Sequence, residues 1–362
     1  MYKYVHGGDV YSHKLTSGGK AFVDFSANIN PLGLPFGVKN AVKKAIKQCI
    51  NYPDPFCLEL KEALAKFLKV EEEYLFLGNG ASDVLFRLVL TLKPRRALLL
   101  APTFADYERA LHTVDCKIGH YKLSAANGFK VEKNILKQIT ARTDMVVICN
   151  PNNPTGQITD KKILEAIIEK CASVKAYLLI DECFMDFVDK NQEYTMCGEL
   201  EKYSNLIILK AFTKIFAMPG LRLGYCLCAD NDLQRELYEN GQDWSVSVLA
   251  QEAGKAALKE PVYLHESSFV VKEERKYLIT QLELLGAEIY GSKANYIFFR
   301  LEHPKNLVEL LQEQGYLIRS CANYRNLGND FYRIAVKTRV LNRSLIKAMK
   351  EARKHAIFTG TY

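Results

Sequence analysis

A lysine and an arginine eight positions apart dominate one short stretch of this chain, Lys210-Ala211-Phe212-Thr213-Lys214-Ile215-Phe216-Ala217-Met218-Pro219-Gly220-Leu221-Arg222-Leu223-Gly224. Lys214 follows an apolar, strand-like run (206–209), and Arg222 sits in a Gly-x-Arg-x-Gly frame. Upstream stand Asn150-Pro151-Asn152-Asn153-Pro154-Thr155-Gly156 and Ile180-Asp181-Glu182. Asn, Asp, Lys and Arg in that order meet the needs of pyridoxal phosphate. A lysine forms the Schiff base, an aspartate pairs with the protonated ring nitrogen, an asparagine meets the ring hydroxyl and an arginine holds the phosphate.

Asp181 ends the apolar run Tyr177-Leu178-Leu179-Ile180, where a buried carboxylate needs a partner. A pyridinium at about 4 Å, in an effective dielectric near 20, is worth roughly 4 kcal/mol. That is about three pK units on the ring nitrogen, enough to keep it cationic. Gly78-Asn79-Gly80-Ala81-Ser82-Asp83 joins a strand to a helix, where glycines let backbone N–H groups approach an anion at the helix start. Such turns also occur with no ligand, and Lys214 and Arg222 downstream favour the phosphate. Phe104 follows a strand and suits either stacking on a ring or an ordinary core position. Asn153 lies in a Pro-flanked turn of a kind common without any ligand.

The 362 residues allow one large α/β domain with an appendage, or two or three domains. A hydrophobic share of 48% and a charged share of 25% are those of a soluble globular protein. The net charge of +8 gathers toward the C-terminus in Arg339, Arg343, Lys347, Lys350 and Arg353. That spacing reads as a solvated helix face rather than a nucleic-acid patch, and the basic balance suits an anionic substrate. Ten cysteines include no C-x-x-C pair, and Cys226 and Cys228 share one strand face, so packing is expected rather than metal binding. Free thiols, no apolar leader and no membrane-length apolar run point to a cytoplasmic protein without nucleic-acid or membrane partners.

Helical and strand patterns alternate through the middle of the chain. Helices are predicted over 36–49, Leu58–Leu68, after Gly78-Asn79-Gly80 through Thr91, 106–114 and 161–172, and strands over 74–77, 97–100, 116–123, Met145–Cys149, Tyr177–Asp181, 206–209 and 223–228. This predicts an α/β fold whose mostly parallel sheet carries helices on both faces. Helices over 246–258 and 261–285 and strands over 294–300, 317–320 and 331–336 predict a smaller α+β domain. The expected division is an N-terminal segment (1–35) beside the small domain, a cofactor-binding large domain (36–245) and a C-terminal small domain (246–362). The chemistry falls at strand ends, where open α/β sheets bind ligands.

Together these residues resemble the fold-type I pyridoxal-phosphate enzymes, class I/II aminotransferase group, over nearly the whole chain. Two branches are similar: the threonine-phosphate decarboxylases of cobamide biosynthesis and the histidinol-phosphate aminotransferases. The decarboxylase branch is favoured by His6-Gly7-Gly8, Phe25-Ser26-Ala27-Asn28-Ile29-Asn30-Pro31-Leu32-Gly33, Tyr52-Pro53-Asp54-Pro55, Gly78-Asn79-Gly80-Ala81-Ser82, Leu317-Ile318-Arg319-Ser320-Cys321-Ala322-Asn323-Tyr324 and Tyr332-Arg333-Ile334-Ala335-Val336. The resemblance implies Lys214 as the Schiff-base lysine, Asp181 as the pyridinium partner and Asn153 as the ring-hydroxyl partner. It implies Gly80, Ala81, Ser82, Thr213 and Arg222 around the cofactor phosphate, Phe104 stacked on the ring, and Tyr52 reaching the cofactor of a neighbouring subunit in a homodimer. His6, Asn28, Asn153, Arg319 and Arg333 are implied on the substrate. Two positions depart from the group: Phe184 where many members have a tyrosine, and Ala211 where a hydroxyl residue is common.

The expected reaction is decarboxylation of an O-phosphorylated hydroxy-amino acid, threonine phosphate or serine phosphate. Transamination of histidinol phosphate or an aromatic amino acid is the alternative. A cofactor-binding regulator without turnover is disfavoured, because Lys214 is retained and no spare segment for a DNA-binding module precedes the fold.

Overall fold

The computed structural model describes residues 7–16, 18–19 and 21–359. Seven strands form the main sheet: β2 (Leu75–Gly78), β3 (Arg96–Ala101), β4 (Lys117–Lys122), β5 (Met145–Cys149), β6 (Tyr177–Asp181), β7 (Leu206–Ala211) and β8 (Gly224–Leu227). Their order is β2-β8-β7-β6-β5-β3-β4, and β8 alone runs antiparallel to its neighbours. This is the mostly parallel sheet read from the sequence.

Burial on both faces explains the near-continuous apolar strands. Val146, Ile148, Leu178, Ile180, Leu206 and Ile208 enter one core, while Met145, Val147, Leu179, Ile207 and Leu209 enter another on the opposite face. Helices α4 (Ala81–Leu92), α5 (Ala105–His112) and α8 (Asn231–Glu239) cover the second face, with Leu85, Leu88, Tyr107, Leu111, Leu233 and Leu237 in its core. Helices α3 (Leu58–Leu68), α6 (Lys161–Ser173) and α9 (Val248–Ala257) contribute Leu60, Leu64, Leu164, Ile168, Ala250 and Ala253 to the first. Helix α2 (Phe36–Ala45) packs on α9. A four-residue helix, α7 (Phe212–Ile215), follows β7 directly and carries Lys214.

A second sheet has the order β12 (Arg319–Ser320), β13 (Phe331–Ala335), β10 (Tyr296–Arg300) and β9 (Glu288–Gly291), all antiparallel. Its apolar face packs on α10 (Pro261–Leu284), α11 (Leu307–Glu313) and α12 (Arg339–Thr359) through Leu278, Leu282, Ile297, Phe299, Leu311, Ile334, Leu345 and Met349. Near the N-terminus, α1 (Val10–Thr16) precedes β1 (Val23–Asp24), which pairs in parallel with β11 (Tyr316–Leu317). The predicted strand 317–320 is therefore two pieces in different sheets, split at Ile318. No helix among the described residues is long and apolar enough to cross a membrane.

Candidate active site

A cavity of about 260 Å³ opens at the C-terminal ends of β5, β6 and β7. Period-two alternation puts Cys149, Asp181, Leu209 and Ala211 on the same sheet face, and all four line it. Asp181 is 7% exposed. Its Oδ2 accepts a hydrogen bond from the Tyr107 hydroxyl at 2.5 Å, and its Oδ1 accepts from the Cys183 backbone N–H at 2.9 Å. Two donors thus hold the carboxylate in place. Burial, with Asp181 adding to it, pushes the Tyr107 hydroxyl well above its ordinary 10.0, which keeps it a neutral donor.

Lys214 projects from α7 into the same cavity. Burial pulls its ammonium below the ordinary 10.5; Arg333 and Arg222 act in the same direction, against Cys183 and Asp181. A lysine with a lowered pKa supplies the neutral amine that condensation with a carbonyl requires. Asn30 fixes the turn that carries it. The Asn30 N–H donates to Lys214 O at 3.2 Å, and its Nδ2 donates to Ile215 O at 2.7 Å and to Ser267 Oγ at 2.6 Å.

The candidate phosphate cradle rests on close backbone approach. Helix α4 starts at Gly80 with no side-chain cap. Its first N–H groups are thereby left to an anion. A Cβ on Gly224 would lie 2.2 Å from Ala81 N, and one on Gly80, at φ +90, would lie 2.5 Å from Arg222 Nη2. Both positions demand glycine. Arg222 itself takes a left-handed φ of 59°, and its Nη1 donates to Pro219 O at 3.1 Å. Ser82 and Thr213 complete the rim, and the Ser82 hydroxyl donates to Asp106 Oδ2 at 3.3 Å.

The opposite end is cationic. Arg333, on β13, is 5% exposed. Its Nη1 donates to Asn153 Oδ1 and its Nη2 to Ser26 O at 2.7 Å, while its Nε has no partner among the described residues. Asn28 is 3% exposed and its Oδ1 also lacks a partner. Two orphaned buried polar atoms of opposite character beside one cavity call for a ligand that offers both acceptors and donors. A glycine-lined anion cradle at one end, a braced carboxylate and a lysine in the middle, and an unsatisfied arginine at the other fit pyridoxal phosphate with an anionic substrate beyond it.

The structure brings together most residues singled out in the sequence. Asn28, Ala81, Ser82, Phe104, Asn153, Asp181, Thr213, Lys214, Arg222 and Arg333 line the cavity. Gly80 stands behind Arg222. Arg319 does not line it: its Nη2 donates to Asn323 Oδ1 at 2.8 Å and its guanidinium lies 5.3 Å from the Tyr324 ring centre. It does pair directly with Arg333 in the β12–β13 register. Tyr52 is 80% exposed and packs on Trp244 at 4.7 Å, away from the cavity of its own chain. His6 lies outside the described residues. Phe184 packs edge-on against Tyr296, whose hydroxyl donates to Asn152 O at 2.8 Å.

Sequence reasoning missed Tyr107 and gave Asn30 and Tyr324 no role, although both stand in runs that carry the resemblance. Tyr107 follows Phe104 by three on the buried side of α5, a spacing that could have flagged it. The Tyr324 hydroxyl donates to Asn153 Oδ1 at 3.5 Å.

The profile of the aminotransferase class I and II family matches residues 20–349, and the chain belongs to that family. It is thus an enzyme of the fold-type I pyridoxal-phosphate superfamily, and pyridoxal phosphate is its cofactor. Among individual relatives, it is 35% identical to the threonine-phosphate decarboxylase of Salmonella typhimurium over 97% of each chain. It is 31% identical to the histidinol-phosphate aminotransferase of Moorella thermoacetica, over 96% of this chain and 90% of that one. The crystal structure of the histidinol-phosphate aminotransferase from Clostridium acetobutylicum superposes with a TM-score of 0.85 at 29% identity, covering 91% of this chain and 99% of that one.

Proposed function

We propose that this enzyme decarboxylates an O-phosphorylated hydroxy-amino acid, threonine phosphate or serine phosphate, giving carbon dioxide and an amino-alcohol phosphate of the kind used in cobamide biosynthesis. The observation that carries this reading is the 35% identity to a threonine-phosphate decarboxylase along essentially the full length of both chains. The buried Arg333 with its unsatisfied Nε supports it, since this substrate brings two anionic groups.

When bound, pyridoxal phosphate supplies an electron sink for the bond broken at Cα. Arg222, Ser82, Thr213, Gly80 and the Ala81 N–H would hold its phosphate, Phe104 its ring face and Asn153 its ring hydroxyl. Asp181, kept in place by Tyr107, would lie against its ring nitrogen. Arg333 and Asn28 would anchor the substrate, with Arg319 behind Arg333 in the strand pair and His6 a further substrate contact in the same reading. Charged hydrogen bonds are worth about 1.5–3 kcal/mol each, so a few suffice to set which bond at Cα stands ready to break. Lys214 Nζ would hold the cofactor before substrate binds and would deliver the proton that replaces the lost carboxylate at Cα.

Transamination is the second reading, favoured by the 31% identity to a histidinol-phosphate aminotransferase. Carbon dioxide release from threonine phosphate and from serine phosphate, measured beside 2-oxoglutarate-dependent turnover of histidinol phosphate, separates the two. Decarboxylation should dominate; turnover of histidinol phosphate alone would overturn the proposal. One methyl group separates the two phosphoamino acids, worth roughly 1 kcal/mol in a pocket, so a preference between them should be modest.

The exposed Tyr52 belongs to the same proposal: it reaches the cofactor phosphate of a second subunit across a twofold interface. Light scattering should report a dimer at assay concentration, and a fully active monomer would remove Tyr52 from the site.

A further inference from the structure

Tyr324 stands in the loop (321–330) that joins β12 to β13, and its side chain lines the candidate active-site cavity together with Arg333. The loop is fastened at several points. The Tyr324 N–H donates to Cys321 O at 3.0 Å, and the Leu327 N–H donates to Tyr324 O at 3.2 Å. Asn326 Nδ2 donates to Ala101 O at 3.2 Å and Arg325 Nη2 to Glu108 Oε1 at 3.1 Å, which ties the loop to the end of β3 and to α5. The Arg319 guanidinium packs over the Tyr324 ring, 5.3 Å from its centre. The ring is therefore held in place by its own surroundings, as a binding residue must be.

The hydroxyl is less well served as a donor. Its contact with Asn153 Oδ1, at 3.5 Å, is long for an O–H···O bond, whose usual length is about 2.7–2.8 Å. Arg333 Nη1 already donates to that same oxygen. Burial pushes the Tyr324 hydroxyl above its ordinary 10.0, with Arg333 and Arg319 pulling the other way, so it keeps its proton at neutral pH.

We propose that Tyr324 is a substrate-binding residue whose hydroxyl donates to the anionic group that Arg333 holds. The two side chains reach one and the same oxygen of Asn153, so an anion seated on the Arg333 guanidinium lies within reach of the hydroxyl. A hydrogen bond to a charged oxygen is roughly twice as strong as one between neutral groups, so the proton turns from the Asn153 amide to the anion. The competing acceptor is the ring hydroxyl of the cofactor. With Oδ1 taken by Arg333 and approached by Tyr324, Asn153 is left to meet that hydroxyl through Nδ2. The inference rests on the reading that an anionic amine binds at Arg333, and not on which bond at Cα breaks.

Tyr324→Phe keeps the ring under Arg319 and removes only the hydroxyl. Binding to the holoenzyme is read from the change in cofactor absorbance with three amines: threonine phosphate, histidinol phosphate, which has no carboxylate, and threonine, which has no phosphate. The variant should bind threonine phosphate about tenfold more weakly, the order of one hydrogen bond to a charged group. The loss should recur with only one of the other two, and so identify the anion. The absorbance of the holoenzyme before substrate, and its pH titration, should match wild type. Wild-type affinity for all three amines would overturn the inference. So would equal losses for histidinol phosphate and threonine, or a shifted pH titration of the bound cofactor, since either moves the hydroxyl to the cofactor end. Failure of the decarboxylase reading would show differently: the wild-type enzyme would release no carbon dioxide from threonine phosphate, and histidinol phosphate would then carry the binding comparison.

Discussion

The two ends of the cavity, proposed to hold cofactor and substrate, are built by different means. The cofactor end comes from one sheet: the α4 N-terminus after β2, Asp181 closing β6, Lys214 on the turn after β7, and Arg222 just before β8. Its parts stand at the ends of strands of that one sheet and are braced by strand pairing. The substrate end is assembled from remote segments, Ser26 and Asn28 near the N-terminus, Tyr324 in a loop and Arg333 on the second sheet. Hydrogen bonds from Arg333 to Asn153 and Ser26 tie these segments across the cavity. On the proposed assignment the first end is the fixed part of the site and the second a joint between remote segments, where substitutions are expected to alter substrate handling more than cofactor binding.

The largest effect should come from the cofactor end. Lys214→Ala is expected to lower turnover by at least about 10⁴-fold, since it removes both the covalent anchor and the proton donor. The visible absorption of the lysine–cofactor linkage should vanish with it. A purified variant that releases carbon dioxide near the wild-type rate would remove Lys214 from the chemistry.

At the substrate end, Arg333→Ala should lower kcat/KM by roughly 100-fold, the value of one or two charged contacts, with cofactor occupancy near wild type. Arg319→Ala should cost less, about tenfold, because Arg319 lies outside the cavity wall and acts through the Arg333 strand pair. Steady-state kinetics beside cofactor absorbance checks both. Loss of the cofactor, with normal substrate handling after saturation, would move the arginine concerned to the other end.

The same contrast explains what was legible in the sequence. Strands buried on both faces declare themselves by composition, and Met145–Cys149 and Tyr177–Asp181 stand where their apolar runs predict. The lysine, aspartate and arginine follow from those strands by counting. By contrast, β9 has the half-buried, charged composition Glu288-Ile289-Tyr290-Gly291 and leaves no such mark. The adjacency of Arg319 and Arg333 depends on antiparallel register, and the bridge from Arg333 to Ser26 joins residues 307 positions apart, so neither has a local signature. Tyr107 was hidden for another reason: a tyrosine on an amphipathic helix looks like core until its hydroxyl is seen to meet Asp181.

Tyr107→Phe is therefore a sharper, smaller test of the cofactor end. It removes one of the two donors that hold Asp181 while keeping the ring that packs on Phe104. A hydrogen bond to a charged group is worth about 1.5–3 kcal/mol, which sets an upper range; with the Cys183 N–H retained, a loss of about tenfold in kcat is expected. The change should be accompanied by an altered pH dependence of the bound cofactor's spectrum. An unchanged spectrum and rate would mean that the second donor alone suffices.

The smallest change is expected in stability and reverses the usual cost of a substitution. In the unfolded chain Lys214 titrates near 10.5, while in the folded apo-protein burial lowers that value. Between the two values folding must release a proton. The unfolded state then binds more protons, so stability rises with pH across that window and the penalty fades as pH approaches 10.5. Below the folded value the ammonium stays charged in its cavity and the penalty is constant and greatest. Lys214→Met keeps the length of the side chain and removes the charge. The apo-variant should consequently melt above the wild-type apo-protein at neutral pH, with the gap closing as pH rises. A gap that widens with pH would mean that Asp181 and Cys183 outweigh burial at this lysine, and that the amine is held charged rather than poised to condense.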